Sequence, residues 1–211
     1  MKSSIGLAMI LFGFLLVTAP VASASCDTAL LVIDVQVWFL DWHPWLTATG
    51  GEIVPAIQTL LEVARGAGLE VIYIRDLSLD QRGDGEHLAV CPEIAPSEGD
   101  AVFTKTEGDA LTNPDLVGHL ESNGIRRLLI SGIASDGCVQ VTLRSAYRAG
   151  YEILIVTDAH AHSAGDQRQT EAMNRTWLGW GLSGVPTAEI DWASFGCIED
   201  AGDPDEAAPA P

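Results

Sequence analysis

The stretch Ile130-Ser131-Gly132-Ile133-Ala134-Ser135-Asp136-Gly137-Cys138-Val139 joins a predicted strand to a predicted helix. The apolar residues 128–130 before the turn are typical of a buried strand. Residues 139–147 after it have the pattern of a helix that stops at Gly150. A strand, a short turn and a helix in this order form the repeating unit of a parallel α/β sheet. The stretch therefore predicts an α/β protein.

Cys138 lies in the first turn of the predicted helix. Unpaired backbone N–H groups and the positive end of the helix dipole favour a thiolate at such a position. The same N–H groups can bind a developing oxyanion. The turn is therefore a candidate nucleophile site. The alternative is a buried, unreactive cysteine, because cysteine packs well as a small hydrophobic residue.

Apolar runs alternate with helical patterns along the rest of the chain. The predicted strands cover residues 29–36, 69–74, 101–104, 126–130, 151–156 and 185–190. Helices are predicted at about 53–64, around Leu116 and Leu120, at 139–147 and at about 167–180, where we assign Met173, Trp177 and Trp180 to the core. This alternation predicts a single-domain, three-layer αβα fold. Its six-stranded parallel sheet should have right-handed crossovers and helices on both faces. The strand order that we predict is 3-2-1-4-5-6.

Two terminal segments are set apart from the domain at residues 25–198. Residues 1–24 have the features of a cleaved signal peptide: Lys2, an apolar run and the small-x-small signal Ala22-Ser23-Ala24. We expect cleavage after Ala24 and an exported protein, periplasmic or secreted; a lipoprotein with Cys26 as the lipidated residue is the alternative. The acidic tail 199–211, rich in Ala and Pro, is expected to be disordered.

Four cysteines remain after cleavage: Cys26, Cys91, Cys138 and Cys197. Export permits disulfides, but at most one can form if Cys138 is a free thiol. Cys26 and Cys197 lie near the two ends of the folded region, so we expect a bridge between them. Spacing alone leaves other pairings open.

Acidic residues dominate the composition. Asp and Glu total 29 against 11 Lys and Arg, a formal charge of −18. This balance argues against nucleic acid and, once the signal peptide is removed, against a membrane as partners. Solubility explains the acidity, which does not select a reaction.

Three polar residues lie at or just beyond the carboxyl ends of three predicted strands: Asp34 at the first, Lys105 at the third and Cys138 at the fourth. Parallel strands bring their carboxyl ends to one edge of the sheet, so these side chains are expected to meet. An aspartate near a thiol can accept its proton and return it to a leaving group. A lysine near both lowers the pKa of the thiol and keeps the carboxylate ionised. The set predicts a cysteine hydrolase with Asp as its base.

These segments resemble the isochorismatase-like cysteine hydrolase family, which includes nicotinamidases and N-carbamoylsarcosine amidase. The resemblance spans about residues 28–190 and is strongest in Leu31-Val32-Ile33-Asp34-Val35-Gln36, Phe103-Thr104-Lys105 and Ser131-Gly132-Ile133-Ala134-Ser135-Asp136-Gly137-Cys138-Val139. It implies that Asp34, Lys105 and Cys138 are the catalytic triad. It also implies a cis peptide between Ile133 and Ala134, and an oxyanion hole made by the N–H groups of Ala134 and Cys138. A homo-oligomer is plausible on the same ground.

The chain departs from nicotinamidases after the second strand. Those enzymes hold a metal there with Asp and His residues, but here Asp76 is followed by no histidine until His87. The similar string Asp41-Trp42-His43-Pro44 follows the first strand instead. We therefore expect no metal and no other cofactor, and interpret His43 as a loop or pocket residue.

Substrate contacts are less clearly marked. The aromatic segment 38–45 follows the Asp34 strand, which favours a pocket wall over ordinary packing. The candidate substrate-binding residues are Gln36, Trp38, Phe39 and His160. For His160 and His162, at the end of the fifth strand, a solvated loop position is the favoured interpretation.

Family members that cleave the vinyl ether of isochorismate often lack the cysteine, so Cys138 favours a carbon–nitrogen bond as the target. We predict an exported cysteine hydrolase that acts on a small amide or ureido compound through a thioester on Cys138. The alternatives are a vinyl ether (C–O) hydrolase and a non-catalytic member of the fold that binds a small molecule.

Overall fold

The computed structural model describes residues 26–42, 53–79 and 85–195, without the side chains of residues 40–42. The predicted signal peptide and acidic tail lie outside this part of the chain, as do His43 and Cys197. Within the described residues, none of the helices combines the length and the apolar character needed to cross a membrane.

Six parallel strands form one sheet in the order β3-β2-β1-β4-β5-β6, which confirms the predicted fold. The strands are β1 Thr28–Ile33, β2 Glu70–Asp76, β3 Ala101–Lys105, β4 Arg127–Ile133, β5 Glu152–Ala161 and β6 Ser183–Val185. The described α-helices are α1 Val37–Trp42, α2 Ile53–Gly66, α3 Pro114–Ser122, α4 Cys138–Ala149 and α5 Gln167–Gly179. The described part of the segment between β2 and β3 contains the short 3₁₀ helices Leu77–Leu79, Glu86–Leu88 and Pro92–Ile94.

The central strand β1 is buried on both faces. Leu30 and Val32 pack in the core layer that includes α2, whereas Leu31 and Ile33 pack in the layer that includes α3, α4 and α5. Successive side chains of a strand point to opposite faces, so a wholly apolar strand requires cover on both sides. This cover explains the unbroken apolar run of the sequence.

The structure corrects the predicted sixth strand. β6 covers only Ser183–Val185, and the segment Thr187–Glu189 is a 3₁₀ helix. Pro186 lies between them and has no N–H group to continue the ladder. The apolar stripe of α5 is also only partly core, because Trp177 is fully buried but Trp180, just past the helix end, is 45% exposed.

One close contact fixes the centre of the sheet. Gly132 in β4 has φ +120°, and a Cβ there would lie 2.1 Å from the carbonyl oxygen of Ile33. Only glycine avoids this clash and also adopts that backbone conformation readily. The strand that leads into the Cys138 turn therefore packs directly against the end of β1, next to Asp34.

Candidate active site

Asp34 follows the last residue of β1 and is fully buried. Its φ of +54° lies in the left-handed region, which residues other than glycine rarely adopt. Its backbone N–H donates to the carbonyl of Ile74 in β2 at 3.0 Å. Unusual backbone conformations of this kind cluster at functional sites. The turn places the Asp34 carboxylate at the carboxyl edge of the sheet.

The ammonium group of Lys105 lies at the centre of the site. Its Nζ atom is 2.8 Å from Asp34 Oδ2, 2.7 Å from Asp76 Oδ2 and 3.3 Å from Cys138 Sγ. A lysine ammonium has three N–H donors, which equals the number of these neighbours. We call Asp34, Asp76, Lys105 and Cys138 the Lys105 cluster. The structure thus brings the three predicted residues together and adds a fourth, Asp76.

The carboxylate of Asp34 keeps lone pairs available. Lys105 pairs with Oδ2 by charge and distance, yet neither oxygen receives a well-aligned hydrogen bond from the described residues. An ionised carboxylate can accept up to about four hydrogen bonds. Asp34 is therefore suited to accept a proton from a neighbouring group.

Burial dominates the protonation states of the cluster. It raises the pKa of Asp34 to about 6, against the opposing effect of Lys105. Burial also raises the pKa of the Cys138 thiol to about 12, and the charge of Asp34 adds to this rise. Lys105 lowers the pKa of the thiol, as expected from the sequence, but burial and Asp34 outweigh this effect. Above pH 6, Asp34 is therefore ionised while the Cys138 thiol is neutral.

The Cys138 turn has the backbone that the resemblance implies. The peptide between Ile133 and Ala134 is cis, and Cys138 is the first residue of α4. The carbonyl of Ala134 accepts from the N–H groups of Gly137 at 2.9 Å and Val139 at 3.2 Å. Ala134 and Cys138 thus flank one tight turn, and their role as an oxyanion hole stays a prediction.

A second buried polar group supports this turn. His160 Nδ1 is 2.7 Å from Ser135 Oγ, and its Nε2 is 2.7 Å from Asn174 Oδ1. Burial lowers the pKa of His160 to about 4, so the ring is neutral. Because Asn174 Oδ1 can only accept, Nε2 carries the proton and Nδ1 accepts from Ser135. We call Ser135, His160 and Asn174 the His160 cluster.

The solvated loop position predicted for His160 is wrong. β5 extends to Ala161, five residues beyond the predicted strand end, and encloses His160, which is 3% exposed. The ring also packs on Trp177, with 4.9 Å between centroids. Both ring nitrogens are occupied by protein partners, which leaves none for a substrate. Ser135 and Asn174 carried no sequence signal that linked them to His160.

Gln36 is likewise fully buried and engaged. Its Nε2 donates to the carbonyls of Asp76 at 3.2 Å and Leu88 at 3.0 Å, and its Oε1 accepts from the Asp76 N–H at 2.7 Å. These contacts give Gln36 a positioning role toward Asp76. Trp38 and Phe39 meet edge to face, 5.0 Å apart, and their substrate contact stays a prediction.

Among the described residues, the Lys105 cluster also contains the side chains that could ligate a metal ion. One ligand atom each from Asp34, Asp76 and Cys138 lies within 4.8 Å of the others. The Lys105 ammonium, however, is within hydrogen-bond or ion-pair distance of all three residues. A resident positive charge among the ligand atoms repels a metal cation, so the arrangement fits lysine better than a metal.

Cys138 differs from the other cysteines. Cys26 is disulfide-bonded; Cys197 lies outside the described residues, so the pairing of the two stays a prediction. Cys91 is free but buried, its Sγ 2.7 Å from Glu93 Oε2, and burial raises its pKa to about 12. Of the two free cysteines among the described residues, Cys138 is the one that lies beside the Lys105 ammonium and near the Asp34 carboxylate.

The chain is similar in sequence to known hydrolases. The chain is 28% identical over 202 residues to the ureidoacrylate amidohydrolase of Serratia proteamaculans, covering 76% of this chain and 81% of that protein. It is 30% identical over 149 residues to streptothricin hydrolase of Streptomyces noursei, covering 68% and 58% of the two chains.

Solved structures show the same architecture. N-carbamoylsarcosine amidase from Thermoplasma acidophilum superposes with a TM-score of 0.64 at 27% identity, over 78% of this chain and 98% of that chain. A hydrolase of the isochorismatase family from Chromobacterium violaceum gives a TM-score of 0.69 at 25% identity, over 85% and 99%. The family model for the isochorismatase domain matches residues 28–180. The chain therefore belongs to the isochorismatase family.

Proposed function

We propose that the protein is a cysteine amidohydrolase that cleaves a carbon–nitrogen bond of a small ureido or amide compound. The observation that carries the proposal is the Lys105 ammonium held between Asp34 Oδ2 at 2.8 Å and Cys138 Sγ at 3.3 Å. The substrate class is supported by two relatives whose names denote ureido compounds, the ureidoacrylate amidohydrolase and N-carbamoylsarcosine amidase.

The reaction begins with the neutral thiol. Asp34 takes the Cys138 proton as the sulfur attacks the substrate carbonyl carbon, and Lys105 stabilises the negative charge that develops on sulfur. The N–H groups of Ala134 and Cys138 bind the resulting oxyanion. Asp34 then returns the proton to the departing nitrogen, the C–N bond breaks, and ammonia or an amine leaves a thioester on Cys138.

Hydrolysis of the thioester restores the site. Asp34 deprotonates a water molecule, which attacks the thioester carbonyl, and the C–S bond breaks. The proton returns from Asp34 to the sulfur, so the acid product leaves a neutral thiol behind. One carboxylate with available lone pairs can serve all of these proton transfers.

The direct test is ammonia release from ureidoacrylate, N-carbamoylsarcosine and a panel of simple amides. Replacing Cys138 by Ala is expected to lower turnover by on the order of 10⁴-fold or more, because the nucleophile is lost. Cys91→Ala is the matched control, a second free cysteine outside the cluster, and is expected to retain activity. Wild-type ammonia release by Cys138→Ala would refute the mechanism.

The pH profile gives a second test. Asp34 must be ionised to act as the base, so kcat/KM is expected to fall by about tenfold per pH unit below the Asp34 pKa. That pKa is raised to about 6. A profile that stays flat down to pH 4.5 would contradict the role of Asp34.

We also propose that the protein is exported. The disulfide at Cys26 supports this, since disulfides persist mainly in oxidising compartments. Mass spectrometry of the protein from its natural cells should find an N-terminus at Ser25. An intact Met1 terminus on protein recovered from the cytoplasm would contradict the proposal.

A further inference from the structure

Asp76 occupies a position that links the sheet to the Lys105 cluster. It is the last residue of β2 and the register partner of Lys105 at the end of β3. Its side chain is 7% exposed and its Oδ2 accepts from Lys105 Nζ at 2.7 Å. The Lys105 ammonium is therefore shared between two buried carboxylates, with the distance to Asp76 as short as that to Asp34.

Several contacts hold Asp76 in place. Its Oδ1 accepts from the Ser78 N–H at 2.8 Å and the Ser78 hydroxyl at 2.5 Å. Its backbone N–H and carbonyl are both bonded to the Gln36 side chain. Asp76 thus has one oxygen occupied by Ser78 and the other directed at Lys105. This anchoring exceeds what a capping aspartate at a strand end requires.

The charge balance of the cluster follows from this arrangement. Two carboxylates surround one ammonium, so the buried group carries one net negative charge while the thiol is neutral. Without Asp76, the ammonium would act on Asp34 and Cys138 alone. We propose that Asp76 is a positioning residue of the active site, which holds Lys105 between the acid and the thiol and keeps Asp34 basic by sharing its counter-ion.

A positioning role for Asp76 predicts the direction in which the pKa values of Asp34 and Cys138 change when Asp76 is replaced, which a merely structural role does not. The titratable groups that face Asp34 are Lys105 from β3, Cys138 from α4 and Asp76 from β2. The charge of Asp76 acts to raise the pKa of Asp34. Removing it should make Asp34 a weaker base and Cys138 a stronger acid, since both respond to the same freed ammonium.

The test is Asp76→Asn, which keeps an oxygen for Ser78 but removes the charge. In ammonia-release assays, which rest on the proposed function, the acid limb of kcat/KM is expected to move down by about one pH unit. Asp166→Asn is the matched control, because Asp166 also accepts a backbone N–H but lies at the start of α5. Its acid limb should stay at the wild-type position.

A second readout needs no substrate. Alkylation of Cys138 by iodoacetamide, followed at the peptide level to separate it from Cys91, is expected to be several-fold to about tenfold faster in Asp76→Asn than in wild type at pH 7.5. If no compound in the panel yields ammonia, the proposed function fails while this rate still decides the role of Asp76. An unchanged or slower rate would overturn the inference, as would reduced activity with an unmoved acid limb.

Ser78→Ala covers the case in which Asp76→Asn does not fold. This variant retains the Asp76 charge but removes the Ser78 hydroxyl, one of the two Ser78 groups that donate to Asp76 Oδ1. Asp76 should therefore form a stronger ion pair with Lys105. The acid limb is then expected to move upward, by less than about half a unit. A downward movement in Ser78→Ala would contradict the sharing of Lys105.

Discussion

The Lys105 cluster and the His160 cluster both lie near the carboxyl edge of the sheet and are mostly buried, yet they differ in how completely their polar groups are paired. In the His160 cluster each polar side chain has a partner, and Asn174 also donates to the Thr157 carbonyl at 2.9 Å. In the Lys105 cluster the Asp34 carboxylate lacks a well-aligned donor among the described residues. Saturated groups hold the backbone in place, whereas unsaturated charged groups remain available for chemistry.

The two clusters also respond to protons in opposite ways. Burial raises the pKa of Asp34 to about 6, so protonation relieves a buried charge. Burial lowers the pKa of His160 to about 4, so protonation creates one. The contrast predicts that acid inactivates the Lys105 cluster and loosens the turn held by the His160 cluster.

The largest expected loss of stability is at Lys105. Replacing Lys105 by Met leaves Asp34 and Asp76 buried without their shared cation, which is expected to lower the free energy of unfolding by about 3–5 kcal/mol. Urea unfolding at pH 7 measures this change. Arg126→Met, which breaks the exposed pair with Asp27, is the control and should cost less than about 1 kcal/mol. Equal losses of unfolding free energy in the two variants would show that the buried ion pairs of Lys105 stabilise the fold no more than an exposed ion pair does.

The next effect is a pH-dependent loss at His160. Its folded pKa of about 4 lies below the ordinary value of 6.5. The neutral ring therefore contributes stability that is fully present above pH 6.5 and is lost as the pH falls toward 4, by about 3 kcal/mol in total.

Urea unfolding of wild type and His160→Gln at pH 4.5 and 7 isolates this contribution. The wild type should lose more stability than the variant on acidification, because glutamine has no proton to gain. Protonation of Asp34 raises the stability on acidification, because its pKa is raised in the folded protein. This contribution is the same in both proteins and cancels when their losses are compared. Parallel losses in both proteins would contradict a buried neutral His160.

The smallest effects separate two contacts of the Cys138 turn. Ser135→Ala leaves the buried Nδ1 of His160 without a donor and is expected to cost about 1–3 kcal/mol. Ser163→Ala removes an exposed contact to Asp136 Oδ2 at 2.5 Å, which water can replace, so less than about 1 kcal/mol is expected. Thermal unfolding of the two variants compares their losses of stability. A larger loss for Ser163→Ala would contradict the inference that the Ser135 contact supports the turn more strongly.

Residues 1–25, 43–52, 80–84 and 196–211 lie outside the described chain, so the predictions for export, the tail and the aromatic segment beyond Trp42 stay predictions. Within the described part, the parallel sheet and the proximity of Asp34, Lys105 and Cys138 followed from local patterns. β1 is apolar throughout because it is covered on both faces. The carboxylate of Asp34 follows β1, the ammonium of Lys105 ends β3, and the thiol of Cys138 follows the turn after β4. Such signals are readable because parallel strands bring their carboxyl ends together.

The sequence alone determined the αβα fold and singled out Asp34, Lys105 and Cys138 as candidate catalytic residues, because periodicity and the residue types at strand ends are local properties. Only the tertiary structure decided that Asp76 shares the lysine, that His160 is a buried neutral support, and that the Cys138 thiol rests protonated. These properties depend on burial and on partners 25 to 33 residues away in the chain. Desolvation and charge pairing act through space, so no window of sequence contains them.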